Sequence, residues 1–252
     1  MTRNALYKAL CDCIPASYSE VWDNDGAMLL PDGEGEVSHV LCTLDVSDSV
    51  VDYAIENGFD LILSHHPLIF SPLRALNGED AVSRRVLRLL SNNIAVFSFH
   101  TRLDAMEGGI NDVLAKMLGV CAVKPLGEGE AALGRVGNLN APMSLDGFLS
   151  RVKRMTDAPI LNVLKKTDTV SRIAIVGGEG KDFIEAATKA DADTYLSGRL
   201  GYHAMLDGEI NLIECGHYFS EKHAAALLKD LVASAADGIK AEIYTPNSLA
   251  VY

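Results

Sequence analysis

The segment LILSHHPLIF, residues 61–70, places two adjacent histidines, His65 and His66, directly after a run of apolar residues. Two imidazoles side by side rarely solve a packing problem. Pro67 biases the residue before it to an extended backbone, which fixes the aim of His66. His100 follows a second apolar run, IAVFSF, and His217 stands two residues beyond a third, INLIEC. Asp104 lies four residues after His100, and Glu221 lies four after His217. If a helix begins near His217, that spacing puts His217 and Glu221 on one face. Neutral imidazole with carboxylate is a donor set for zinc, manganese or iron. Five or six such ligands exceed what one tetrahedral ion uses. They suit two ions joined by a bridging carboxylate, a pair that polarises an electrophile and acidifies water. Singly, each group has a plainer explanation. A strand-end histidine is often just a hydrogen-bonding group, and Glu221 is favoured by the dipole at a helix N-terminus. Their conjunction beyond three apolar runs points to metal.

These donors need elements to position them. VSHVLCTLD reads as a strand and SVVDYAIENG as a helix closed by Gly58. DLILS is a second strand, too apolar to have a wet face, and AVSRRVLRLLSNN is an amphipathic helix. IAVFSF is a third buried strand, followed by the helix GGINDVLAKMLG. This alternation, with continuously apolar strands, implies a parallel sheet covered on both faces. The pattern weakens in the glycine-rich stretch around residue 125. A second α/β unit follows, with helices SLDGFLSRVKRMT and DFIEAATKA and strands RIAIVGG, TYLSG and INLIEC. KHAAALLKDLVASAA is a final helix and IKAEIYT a last strand. The fold class is α/β in two lobes with largely parallel sheets. In open α/β sheets ligands bind beyond the carboxyl ends of the strands, where four of the seven histidines fall.

The bulk numbers exclude several classes. The chain has 252 residues, 48% hydrophobic and 22% charged, with a formal net charge of −12. That charge argues against a general nucleic-acid binder, which needs a basic face. The five cysteines are odd in number and form no CxxC pair, which fits a reducing compartment. No signal-peptide core opens the sequence and no apolar run approaches a membrane span, so the expected location is cytoplasmic, with no membrane partner. There is no P-loop, no GxGxxG after the first strand and no GxSxG elbow. VGGEGKDF could cradle an anion at a helix start, or it could simply be a tight strand-to-helix turn.

LSHHPLIF, HTRLDAMEGGIND and ECGHYFSEKHA, in this order and at these distances, resemble the Nif-three-like family of dinuclear-metal proteins. Its members include proteins called GTP cyclohydrolase 1 type 2 homologues. EVWDNDGAMLL and DADTYLSGRLGYH are also similar to segments of that family, so the likeness covers essentially the whole chain. The length suits the short form, without the domain that longer members insert. The resemblance implies two α/β lobes, residues 1–125 with 228–252 returning to the first lobe and 126–227 as the second. It places the metal site in the cleft between them and implies a hexameric ring of identical chains. It implies the metal ligands His65, His66, Asp104, His217 and Glu221, with Glu221 bridging two divalent ions of zinc, iron or manganese. His100 would lie beside the metals, and His100 and His203 are candidate proton carriers; His203 could equally be a packing residue. Arg102 stands where the family usually has asparagine, and Arg199 where it usually has an acidic residue. Both could place positive charge near the metals and select a small anionic ligand such as a phosphate, or both could be solvated or salt-bridged. From the residues alone, His39 opens a strand and is peripheral, and His223, two residues past Glu221 in the final helix, points elsewhere.

The expected function is a metal-dependent hydrolase acting on a nucleotide or another phosphate-bearing small molecule. The alternative is a non-catalytic metal-binding or scaffold ring. A closed structural zinc site is disfavoured, because such sites prefer thiolates and only Cys215 is near the motifs.

Overall fold

The computed structural model of the protein describes residues 1–127 and 132–246. The last residues of the expected returning segment, 247–252, lie outside the described residues. The chain divides into two compact units, Met1–Leu103 with the segment from Ala224, and Asp104–His223.

The first unit opens with α1 (Arg3–Cys13), capped by the Thr2 hydroxyl, which accepts from the Ala5 amide. It continues through β1 (Gly26–Leu29), β2 (His39–Thr43), α2 (Asp48–Glu56), β3 (Leu61–Ser64), α3 (Ala81–Ser91), β4 (Ala95–Ser98) and the start of α4 (Thr101–Ala105). Ser47 and Asp80 cap α2 and α3 through their side-chain oxygens. In the second unit come α5 (Ile110–Met117), β5 (Val120–Leu126), β6 (Gly134–Ser144), α6 (Leu145–Thr156), β7 (Asn162–Leu164), β8 (Thr169–Glu179), α7 (Ile184–Lys189), β9 (Thr194–Arg199), α8 (Tyr202–Leu206), β10 (Asn211–Glu214) and α9 (His217–Glu221). The chain then rejoins the first unit with α10 (Ala224–Ala235) and β11 (Lys240–Ile243).

The first sheet has the order β1-β4-β3-β2-β11, parallel except for β1. The returning strand is therefore β11, paired with β2. Every residue of β3 and β4 is buried. One face of the sheet packs Leu41, Ile62 and Val96 against Val50, Val51 and Ala54 of α2 and Val86 and Leu89 of α3. On the other, α10 packs on α1, β2 and β3, and the Tyr7 ring of α1 lies 5.0 Å from that of Phe97. Covering both faces explains the unbroken apolar strands; each such side chain fully buried stabilises by roughly 1.5–3 kcal/mol.

The second sheet has the order β5-β6-β8-β9-β10-β7. It is parallel along β8-β9-β10 and antiparallel toward both edges. Phe148 and Val152 of α6 and Leu114 and Leu118 at the end of α5 pack on Ile173, Ile175 and Leu196. Because α5 contacts β5, β6 and β8, it belongs with this sheet. The division therefore falls before α5, at Leu103–Asp104, rather than at the glycine-rich stretch near residue 125. No helix among the described residues is long and apolar enough to cross a membrane.

Candidate metal centre

In the first unit the histidine pair prolongs β3. The His65 amide donates to the Thr43 carbonyl at 3.2 Å and the His66 amide to the Leu44 carbonyl at 2.9 Å. Beneath them, the buried hydroxyls of Ser64 and Ser98 lie 2.8 Å apart, and Ser64 Oγ donates to the His66 carbonyl at 2.8 Å. The turn after the strand is thus held from inside. His65, His66 and His100 offer ligand nitrogens that all lie within 4.8 Å of one another.

Each of these imidazoles is aimed by an acceptor on Nδ1. His65 Nδ1 is 3.0 Å from the Phe99 carbonyl, His66 Nδ1 is 2.7 Å from Asp45 Oδ1, and His100 Nδ1 is 2.8 Å from Asp23 Oδ1. A carbonyl or carboxylate oxygen only accepts, so each Nδ1 carries a proton, and in the neutral form of such a ring Nε2 is the nitrogen with the lone pair. An acceptor behind the far nitrogen is the usual support of a metal-binding histidine. Asp23 is itself fully buried at its side chain. Burial pushes its carboxyl up, but hydrogen bonds from His100 and Thr101 outweigh that and bring it down to about 2. It therefore stays ionised behind His100.

In the second unit the donors are Asp104, His217 and Glu221. His217 and Glu221 share α9, and His217 Nε2 lies 2.9 Å from Glu221 Oε2, the i, i+4 geometry expected of the pair. Carboxylate oxygens of Asp104 and Glu221 lie within 4.8 Å of each other. Gly216, with φ +91°, turns the chain from β10 into α9. The helix then rests on the ends of β8 and β9, where glycines leave room. At Gly178, with φ +63°, a Cβ would collide with the Glu221 carboxylate. Ser220 ties the helix down, its hydroxyl accepting from the Gly178 amide at 3.0 Å and donating to the His217 carbonyl at 2.7 Å. Asn111, buried in α5, accepts from the Gly177 amide at 2.7 Å and donates to the carbonyls of Leu133 at 2.8 Å and Asp104 at 3.4 Å.

Asp23, Asp45 and Asn111 did not stand out as site residues in the sequence. Asp23 and Asn111 lie inside segments that carry the family resemblance, and Asp45 ends the strand VSHVLCTLD. A polar residue closing an apolar strand beside a histidine-bearing one was the available signal. The remaining candidates lie elsewhere. Arg102 is 2% exposed and clamps Asp25, with Nε 2.7 Å from Oδ2 and Nη2 2.8 Å from Oδ1. Its Nη1 donates to the Ile14 carbonyl, and its guanidinium lies 4.7 Å from the Phe99 ring centre. This is the salt-bridged alternative: the donors of Arg102 are committed inside the first unit rather than presented to a ligand. Arg199 ends β9 with its side chain exposed. His203 is exposed on α8 against Tyr202, and belongs to none of the donor groups among the described residues. His39 stacks on Phe59 and pairs with Glu242. Burial, and then the charge of Lys222, hold the His223 imidazole below its ordinary pKa.

A donor set of imidazole Nε2 atoms and carboxylates, without a thiolate, fits zinc, iron or manganese. The sequence profile of the Duf34/NIF3 (NGG1p interacting factor 3) family matches residues 1–248. The GTP cyclohydrolase 1 type 2 homolog of Clostridium perfringens (strain 13 / Type A) is 31% identical over 88% of this chain and 87% of its own. The protein of the same name from Campylobacter jejuni is 34% identical over 92% of both chains. Among solved structures, the Staphylococcus aureus hypothetical protein SA1388 superposes with a TM-score of 0.90 at 26% identity, over 98% of this chain and 97% of that one. The chain belongs to the Duf34/NIF3 family.

Proposed function

We propose that His65, His66, Asp104, His217 and Glu221 together hold two divalent metal ions, and that the protein is a metal-dependent hydrolase acting on a nucleotide or other phosphate-bearing small molecule. The observation that carries this reading is the locking of all three first-unit imidazoles through Nδ1. Nothing in core packing needs three histidines each held through Nδ1 with ligand nitrogens within 4.8 Å of one another. The relatives named for a GTP cyclohydrolase support a nucleotide substrate.

The chemistry the metals supply when bound is Lewis-acid polarisation and acidified water. Glu221, with one oxygen toward His217, is the residue suited to bridge. His65 and His66 would help hold the metals, and they are kept from turning by the Phe99 carbonyl and Asp45. His100 accepts a proton at Nε2 while Nδ1–H stays on Asp23, whose ionised carboxylate stabilises the imidazolium that results. Arg199, exposed at the end of β9, supplies positive charge for an anionic ligand. The family resemblance supports assembly as a hexameric ring.

The test is turnover of GTP and a panel of phosphomonoesters by protein loaded with zinc, manganese or iron. Hydrolysis that falls about 100-fold or more in His100→Ala, with metal content unchanged, is the expected result. No turnover with any of the three metals would overturn the hydrolase and leave the metal-binding or scaffold ring.

A further inference from the structure

The surface beside the first-unit imidazoles carries the only tryptophan of the chain. Trp22 is 60% exposed and Phe70 is 54% exposed. A scattered exposed aromatic needs no explanation, but these two lie in contact with each other and beside His100 of the histidine cluster. The two rings meet edge to face, with centroids 6.3 Å apart and planes at 66°. Both also stand nearly perpendicular to His100, at 6.4 Å for Trp22 and 6.2 Å for Phe70. Three aromatic planes therefore form an open corner.

The corner is held rigidly. Directly after Trp22, the Asp23 carboxylate accepts from His100 Nδ1, from the Thr101 amide at 3.0 Å and from Thr101 Oγ1 at 2.6 Å. Before it, the Glu20 amide donates to Thr101 Oγ1 at 3.0 Å. Ser19 donates to Asp25, which the buried Arg102 clamps. Asn24 Nδ2 donates to the carbonyl of Ile69, the residue before Phe70, so the two aromatic segments are tied together. A turn fastened at Glu20, Asp23, Asn24 and Asp25 presents Trp22 outward by construction.

We propose that Trp22 and Phe70 form a stacking corner that takes the flat ring of a nucleobase-type heterocycle and holds it beside the histidine cluster. A flat π-system can stack on one ring and meet the edge of the other, which is the preferred offset or edge-to-face arrangement for both. An aliphatic ligand would instead need an enclosing apolar pocket, which an open corner of rings does not provide. Stacking reads no hydrogen-bond pattern, so it serves any base and leaves selectivity to other groups. The inference deepens the hydrolase reading by assigning its nucleotide ring to named residues, and it rests on that reading only for the chemistry, since ring binding needs no metal.

The single tryptophan supplies its own readout. Full-length, metal-loaded protein is titrated with guanosine, and with ribose 5-phosphate as the control that lacks the ring, while indole emission is followed. Saturable quenching by guanosine and none by ribose 5-phosphate is expected. Phe70→Ala should weaken the apparent affinity about tenfold, and Trp22→Ala, followed by calorimetry, by a similar factor. Both variants should keep wild-type metal content and melting temperature. No saturable response, or wild-type affinity in both variants, would overturn the proposal. A change of oligomeric state in Trp22→Ala, with guanosine leaving wild-type emission unchanged, would also overturn it, because the corner would then be an interface between copies. Guanosine binding by wild-type protein that takes up no metal would uphold the corner and defeat the metal centre. Metal-loaded protein indifferent to guanosine would do the reverse.

Discussion

The two units prepare metal-type donors by different means. In the first, three imidazoles sit just past the ends of parallel strands, and each is aimed by an oxygen on its Nδ1. In the second, His217 and Glu221 ride on a short helix whose position is set by backbone shape. There the left-handed turns at Gly178 and Gly216, and the room the glycine at 178 leaves, bring α9 onto the ends of β8 and β9. Orientation by hydrogen bonds can be loosened without deforming the chain, because removing an acceptor frees a side chain to rotate. Orientation by close backbone approach cannot, because any added atom must displace the helix or the strand. The two halves should therefore fail differently.

The largest effect tests whether the first unit's polar anchors are structural. Arg102→Ala leaves Asp25 buried without its partner, and breaking a pair of this kind costs about 3–5 kcal/mol. A large drop in melting temperature is expected. If the melting temperature held and only ligand affinity fell, Arg102 would be a ligand-binding residue after all.

Gly178→Ala should come next. It forces a non-glycine residue to φ +63° and drives a methyl group into the Glu221 carboxylate. About 1–3 kcal/mol of stability should be lost, together with metal at the second-unit donors. Wild-type metal affinity in this variant would show that the glycine does not position Glu221.

Asp45→Asn sharpens the contrast from the other side. It removes the charged acceptor behind His66 and should lower metal affinity about 10–100-fold, with little change in folding. Metal titration beside a melting curve separates this from the glycine variant, in which both quantities fall.

The smallest effect is a pH dependence. Asp23 is held near 2, below its ordinary value of 3.8, so the folded state favours its ionised form. The stability it contributes is fully present above the ordinary value and is lost as pH falls toward 2. Asp23→Asn should thus be less stable than wild type at pH 6, and the gap should narrow by pH 3. Denaturant unfolding at the two pH values reads the change. A gap that widened with acid would refute the assignment of an ionised Asp23 behind His100.

The sequence made the donors and the first sheet legible for physical reasons. LILS and IAVFSF are continuously apolar because helices cover both faces of their sheet, and histidines just past such strands have few packing uses. The i, i+4 spacing of His217 and Glu221 was readable as one helical face. Other features left little trace. β5 and β7, the edges of the second sheet, pair antiparallel, and their sequences VCAVKPL and NVL carry no strong period. α9 is only five residues long, so its placement depends on Gly216 and Gly178, whose need for left-handed dihedrals a sequence does not display. Arg102 reads equally well as charge for a ligand or as half of a salt bridge. Its partner, Asp25, lies 77 residues away, and only the fold brings them together.

The proposed metal ligands are His65, His66, Asp104, His217 and Glu221. The most direct test is the metal content of untagged protein by elemental mass spectrometry, for wild type, His66→Ala and Glu221→Ala. About two ions per chain in wild type, lost in both variants although one donor comes from each unit, is the expected result. Wild-type protein that stays metal-free after incubation with zinc, manganese and iron, or full occupancy in both variants, would contradict it.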